Sequence, residues 1–208
     1  GLGGLACAIT LLGRPSRSVF VVLAVLGTLS LGSFAFTGHG ASDDGLVGMV
    51  HLVSDMLHSV AAGVWLGALA GFFILLKRPS AAVEPHRSAL AKALGDFAST
   101  GTLVVAVLII TGLINSYLLI GITGLPNLLT SAYGDLLAVK LMLFAAMIGL
   151  AAKNRFRLTP ALRRASDEIA SAKAVVALRR SVIAEALAGL AILALVAGGG
   201  RVEQPNAM

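Results

Sequence analysis

The residues best placed to do chemistry in this sequence are ionisable groups inside long apolar runs. The run Leu46–Leu76 holds His51, Asp55 and His58. A charge or an imidazole in hydrocarbon is costly and calls for a reason. A helix turns about 100° per residue, so spacings of four and seven put all three on one stripe, which Ala62 and Trp65 continue. Two neutral imidazoles on one face can ligate copper or another borderline metal, with Asp55 as a further ligand or as the acceptor that orients a ring. The two histidines stand roughly 10 Å apart along the axis. They therefore share an ion only with a ligand from another helix or loop between them, or each serves its own site. The same residues also admit a structural reading, with the histidines hydrogen-bonding across helices and Asp55 pairing with Lys140.

Other candidates surround this stripe. His39, in Thr37-Gly38-His39-Gly40, is followed by Asp43 and Asp44. That set can collect a cation and pass it inward, or form an ordinary polar turn. Asn115, Tyr117 and Lys140 fall at similar depth in two later apolar runs and can complete a polar pocket with His58. Their alternatives are helix-to-helix hydrogen bonding for Asn115, an interfacial aromatic for Tyr117 and a snorkelling amine for Lys140. Met49 and Met56 lie roughly 140–180° around the helix from the histidine stripe, so packing or lipid contact suits them better than ligation. Glu185 sits one turn inside the basic end of the last run, too far from the histidines to share their site, and is expected to pair with an arginine near Asn154–Arg157. His86 reads as solvated, and the lone Cys7 as a small apolar residue in a helix.

The elements that must position these groups follow from composition. Of 208 residues, 57% are hydrophobic and 12% charged, about half the charged share of a soluble domain. The mean hydropathy is +0.92. Such a chain needs lipid around it, and in lipid an isolated strand would leave backbone groups unpaired. The sequence thus predicts an all-α, polytopic transmembrane bundle of about six segments. These are residues 1–13, read as the rest of a truncated helix, Val19–Phe36, Leu46–Leu76, Phe97–Gly121, Gly134–Ala152 and Ser181–Gly198. The stretch Leu158–Arg180 is expected to be either an amphipathic helix on the inner leaflet or a solvated connector.

Charge sets the orientation. Fourteen basic residues lie in the connections on one side, against Arg201 alone on the other, with Lys140 inside a span. Positive residues mark the cytoplasmic side, so the His39 loop and Ile122–Tyr133 are expected on the periplasmic side of a bacterial inner membrane. The net charge of +6 is thereby explained without nucleic acid. No hydrolase elbow, phosphate-binding loop, dinucleotide fingerprint or HExxH occurs, which argues against an enzyme.

Several stretches, in order, resemble the CopD family of copper-resistance and copper-uptake membrane proteins. His51-Leu-Val-Ser-Asp55-Met-Leu-His58-Ser-Val-Ala-Ala-Gly-Val-Trp65-Leu-Gly67 resembles its histidine-bearing helix, and Thr111-Gly-Leu-Ile-Asn115 its next helix. Tyr133-Gly134, Lys140, Asn154-Arg155, Leu158 and Pro160, the Glu-bearing stretch Ser181–Glu185, and Gly38-His39 match as well. The resemblance covers residues 37–198. It implies a cytoplasmic-membrane protein of copper homeostasis, taking copper from a periplasmic carrier of the CopC type. It also implies about eight spans in full members, and so an N-terminal part beyond this chain. The expected organisation is N-terminal membrane helices over 1–36, a CopD-like membrane domain over 37–200 and a periplasmic tail over 201–208. A homo-oligomer is compatible with it.

Three function classes follow. A copper permease would use His39, His51, Asp55 and His58 as metal ligands. A b-type membrane cytochrome would bind haem through axial histidines from facing positions, with only His39 available from another segment. A sensor or assembly subunit would use the polar cluster only to hold helices together.

Overall fold

The computed structural model describes residues 27, 45–128 and 131–199. The segments expected at 1–13 and, apart from Gly27, at 19–36, His39 with Asp43 and Asp44, and the tail 201–208 lie outside the described residues. Helices α1 (Gly45–Lys77), α2 (His86–Leu128), α3 (Ala132–Lys153), α4 (Thr159–Arg164) and α5 (Glu168–Gly199) account for nearly all of them. No strand occurs among the described residues. Four helical stretches are long and apolar enough to cross a membrane: Gly45–Lys77, His86–Gly121, Ala132–Arg164 and Glu168–Gly198. The last four of the six expected segments are therefore helices.

The ends of α1 and α3 fall within two residues of the expected ones, and the 33 residues of α1 extend about 50 Å, against roughly 30 Å of hydrocarbon. Two starts depart: α2 begins at His86 rather than Phe97, and α5 at Glu168 rather than Ser181. Alanine, leucine, lysine and arginine fill these extensions, and all are good helix formers. The start of α5 is capped, with the Asp167 carboxylate accepting the Ala170 N–H at 2.7 Å and Glu168 in the first turn, where the helix dipole favours an acid. Asp167→Ala should cost about 1 kcal/mol of stability, measurable as a lowered unfolding midpoint in detergent.

The stretch Leu158–Arg180 is mostly helical, broken at 165–167. The chain leaves α3 through a π-helical turn, Asn154–Leu158, continues as α4, and re-enters as α5. Its apolar side chains turn inward, burying Leu162, Ala174, Val175 and Leu178 against Leu76, Leu90 and Ala91. Arg87 fastens this region, donating from Nη1 to the Ala165 carbonyl and to Ser171 Oγ and pairing with Glu84 at 2.7 Å. Hydrogen bonds from Arg87 hold the Glu84 carboxyl below its ordinary range.

Within the bundle α1 packs on α2 and α5, and α5 packs on α3, whereas α2 and α3 meet only lightly. The densest core lies at the end bearing the basic loops, around Leu76, Leu90, Leu162, Leu178 and Val182, where any part outside lipid gains from apolar burial away from water. In hydrocarbon that drive is absent and close approach takes over. Gly189 is one such approach: a Cβ there would stand 2.7 Å from Leu66 Cδ2 and 3.3 Å from Met147 Cε. Leu178 and Leu162 are fully buried, so either leucine replaced by alanine should lose about 2–5 kcal/mol. Leu103→Ala, at a 65% exposed position, should be nearly neutral. Thermal unfolding of the three variants in one detergent compares them.

Candidate functional site

The buried residues of α1 run Gly48, His51, Ser54, Ala61, Trp65, Leu69 and Leu76. The buried face shares His51 and Trp65 with the stripe expected from the histidine spacing but is turned toward Ser54 and Ala61, so that Asp55, His58 and Ala62 are only partly buried. His51 is 8% exposed. Ser54 lies deeper than Asp55 and donates to the Thr111 carbonyl of α2 at 3.3 Å. Asp55 stands at the edge of the stripe, where Asn115 Nδ2 reaches its Oδ1 at 3.5 Å. The His58 ring lies on α2 beside Gly112, whose absent Cβ would be 3.6 Å from Cε1.

His58 Nδ1 is 2.9 Å from Thr111 Oγ1, a hydroxyl that also reaches the Val107 carbonyl at 2.6 Å. When the single hydroxyl proton is spent on Val107, a neutral His58 donates from Nδ1 to Thr111 and Nε2 is the unprotonated nitrogen, the state in which an imidazole ligates a metal. Thr111 and Ser54 received no separate role from the sequence, although Thr111 opens the Thr111–Asn115 stretch and lies one helical turn before Asn115. Serine and threonine are common in apolar helices, and only the facing helix shows which of them are used.

The other expected members of the cluster take different places. Lys140 makes no hydrogen bond or ion pair among the described residues, and Asp55 is met by Asn115 instead. Lys140 belongs to α3, which barely touches α2. Tyr117 is 61% exposed, two residues on from Asn115 and thus on another face. Met49 is 62% exposed, in keeping with its distance from the stripe. Among the described residues no three of His, Cys, Asp and Glu come together to hold a metal ion. The described part of α2 facing the stripe offers Thr111 and Asn115, not a second axial histidine.

A second polar cluster lies toward the basic end. Glu185 is 2% exposed, and its Oε2 accepts from Asn154 Nδ2 at 3.1 Å. Its partner is therefore a neutral amide, not the expected arginine. Adjacent side chains on a helix point about 100° apart, so Asn154 and Arg155 cannot both face α5. Arg155 turns to α2 and donates to the Ala98 carbonyl and Thr102 Oγ1. The Trp65 indole faces the Glu185 carboxylate, but its buried Nε1–H closes no hydrogen bond. The histidine stripe of α1 thus leads, two turns beyond His58, to the Glu185 cluster.

Residues 91–198 match the profile of the family described as copper resistance protein D. Over 94% of its length the chain is 34% identical to copper resistance protein D of Pseudomonas syringae pv. tomato. The chain belongs to the copper resistance protein D family. It is also 28% identical over 74% of its length to inner membrane protein YebZ of Escherichia coli, and 32% identical over 62% to copper transport protein CutJ of Bacillus subtilis. It spans 63%, 51% and 23% of these three relatives. No solved structure matches it. The family match includes Thr111, Asn115, Asn154 and Glu185, and the longer alignment to the Pseudomonas protein takes in most of the chain.

Proposed function

We propose that this CopD-family protein carries copper across a bacterial cytoplasmic membrane, inward from a periplasmic carrier. Copper is the cargo. The observation that carries the assignment is the His58–Thr111 hydrogen bond, which engages Nδ1 of a half-buried imidazole inside an apolar helix pair and leaves Nε2 as the ring nitrogen available to an ion. A transport path needs binding strong enough to admit the ion and weak enough to release it. His51 and His58, about two helical turns apart, serve this as successive stations. Asp55 supplies negative charge beside them, and Asn115 holds that carboxylate.

The relatives' names support the cargo, since two carry copper resistance or copper transport in them. The charge asymmetry of the loops supports the orientation, with the basic end in the cytoplasm and the end of α1 bearing His51 toward the periplasm. In that arrangement His39 receives copper from a carrier of the CopC type and hands it to His51. The residues 37–200 form the membrane domain that does this, flanked by 1–36 and 201–208. Cells expressing the chain should accumulate more copper than cells carrying the empty vector, and should tolerate less of it in the medium. Equal accumulation would refute inward transport.

A further inference from the structure

Glu185 has no part in the cation path above, yet it is among the most buried side chains of the molecule. Its carboxyl borders a cavity of about 330 Å³ between α1, α2, α3 and α5, where α2 and α3 leave a gap. Its closed hydrogen bond comes from a neutral amide. The ion pairs among the described residues lie elsewhere, joining Arg87 to Glu84 and Lys92 to Asp96. Two more buried polar atoms of the lining lack a partner, Trp65 Nε1 and Asn154 Oδ1.

A carboxylate so placed is stable only when a positive charge joins it. The surroundings favour a proton over a metal ion. A hard cation takes six or more oxygen ligands, whereas Glu185 is the sole acid lining the cavity. A protonated carboxyl is both donor and acceptor, which suits a site offering an amide N–H and an indole N–H beside an orphan acceptor, Asn154 Oδ1. The charged surroundings are few. From α1 the cavity is faced by Trp65 and apolar side chains and from α2 by Thr102 and apolar side chains, so neither helix contributes a titratable group to its lining. From α3 it is faced by apolar residues, and from the π turn by Asn154 and Arg155, whose guanidinium is directed at α2. On α5 the nearest charges are Arg179 and Arg180, more than one turn away.

We infer that Glu185 is a proton-exchange site reached through this cavity, and that it exchanges one proton as the cation crosses the bundle. In the step the carboxylate takes H⁺ from the aqueous side to become the neutral acid, and later returns it; no electron moves. The linkage to cation movement rests on the copper reading above, while the exchange itself does not.

The test uses the full chain reconstituted in lipid vesicles. Dicyclohexylcarbodiimide reacts with protonated carboxyls in apolar sites, and mass spectrometry locates the adduct. Glu185 should be modified at low pH, with modification falling about tenfold per pH unit above its midpoint, as one titrating group requires. Glu185→Gln should abolish the adduct. Absence of the adduct at every pH, or modification independent of pH, would overturn the exchange. In the same vesicles copper flux should move protons, and Glu185→Gln should remove at least about nine-tenths of that movement. Proton movement unchanged in the variant would overturn the linkage. Wild-type vesicles without copper flux would overturn the copper reading and the linkage with it, while the adduct would still decide the exchange.

Discussion

His51→Ala, His58→Ala protein, purified and dialysed against copper, should bind at least tenfold less of it than the wild type. The argument rests on what remains when both imidazoles go. Asp55 is then the only ionisable group of the stripe, and its carboxylate is already engaged by Asn115 at 3.5 Å. Carboxylate and amide oxygens suit magnesium, calcium and manganese better than copper. Because the two rings stand about 10 Å apart, they act as separate stations, and each single variant should lose part of the binding rather than all of it. Equal binding by the double variant would place the ligands elsewhere in the chain. The fold should survive the change, since the main core of Leu76, Leu162, Leu178 and Val182 lies nearer the basic end.

Thr111→Val is expected to weaken copper binding about 10- to 100-fold, the usual effect of removing a group that orients a ligating histidine. Valine keeps the shape and removes the oxygen that receives His58 Nδ1–H at 2.9 Å. The ring is then free to hold its proton on Nε2, and the unprotonated nitrogen turns from the path. Thr111→Ser retains the hydroxyl and should bind within a few fold of wild type. Equilibrium dialysis of the two variants separates loss of the hydrogen bond from loss of packing. Ser54 also reaches this residue, but through the Thr111 main-chain carbonyl, so its contact should persist in both variants.

The spacing of His51, Asp55 and His58 gave the buried face of α1 only approximately: His51 and Trp65 lie on it, whereas its centre is turned toward Ser54 and Ala61 and leaves Asp55 and His58 partly buried. The apolar runs gave α1 and α3 almost to the residue. The starts of α2 and α5 were less legible. Charged residues from Arg87 to Asp96 and from Lys173 to Arg180 look like loop when a chain is divided by hydropathy alone. They are helical because helix propensity continues past the membrane surface, and Asp167 sets the new beginning of α5. Partner choice was the least legible part. Lys140 was one of the partners open to Asp55 and an arginine was expected for Glu185, and the contact each makes is with an asparagine amide. Sequence gives the depth of a residue in a span but not which neighbouring helix lies opposite, and here α3 and its Lys140 stand away from α2.

The central claim is that copper passes through this bundle. Its most direct test is copper flux into vesicles containing the purified chain, measured against vesicles without protein and vesicles containing the double histidine variant. The account predicts saturable flux with the wild type alone. Wild-type flux no faster than that of protein-free vesicles would contradict it.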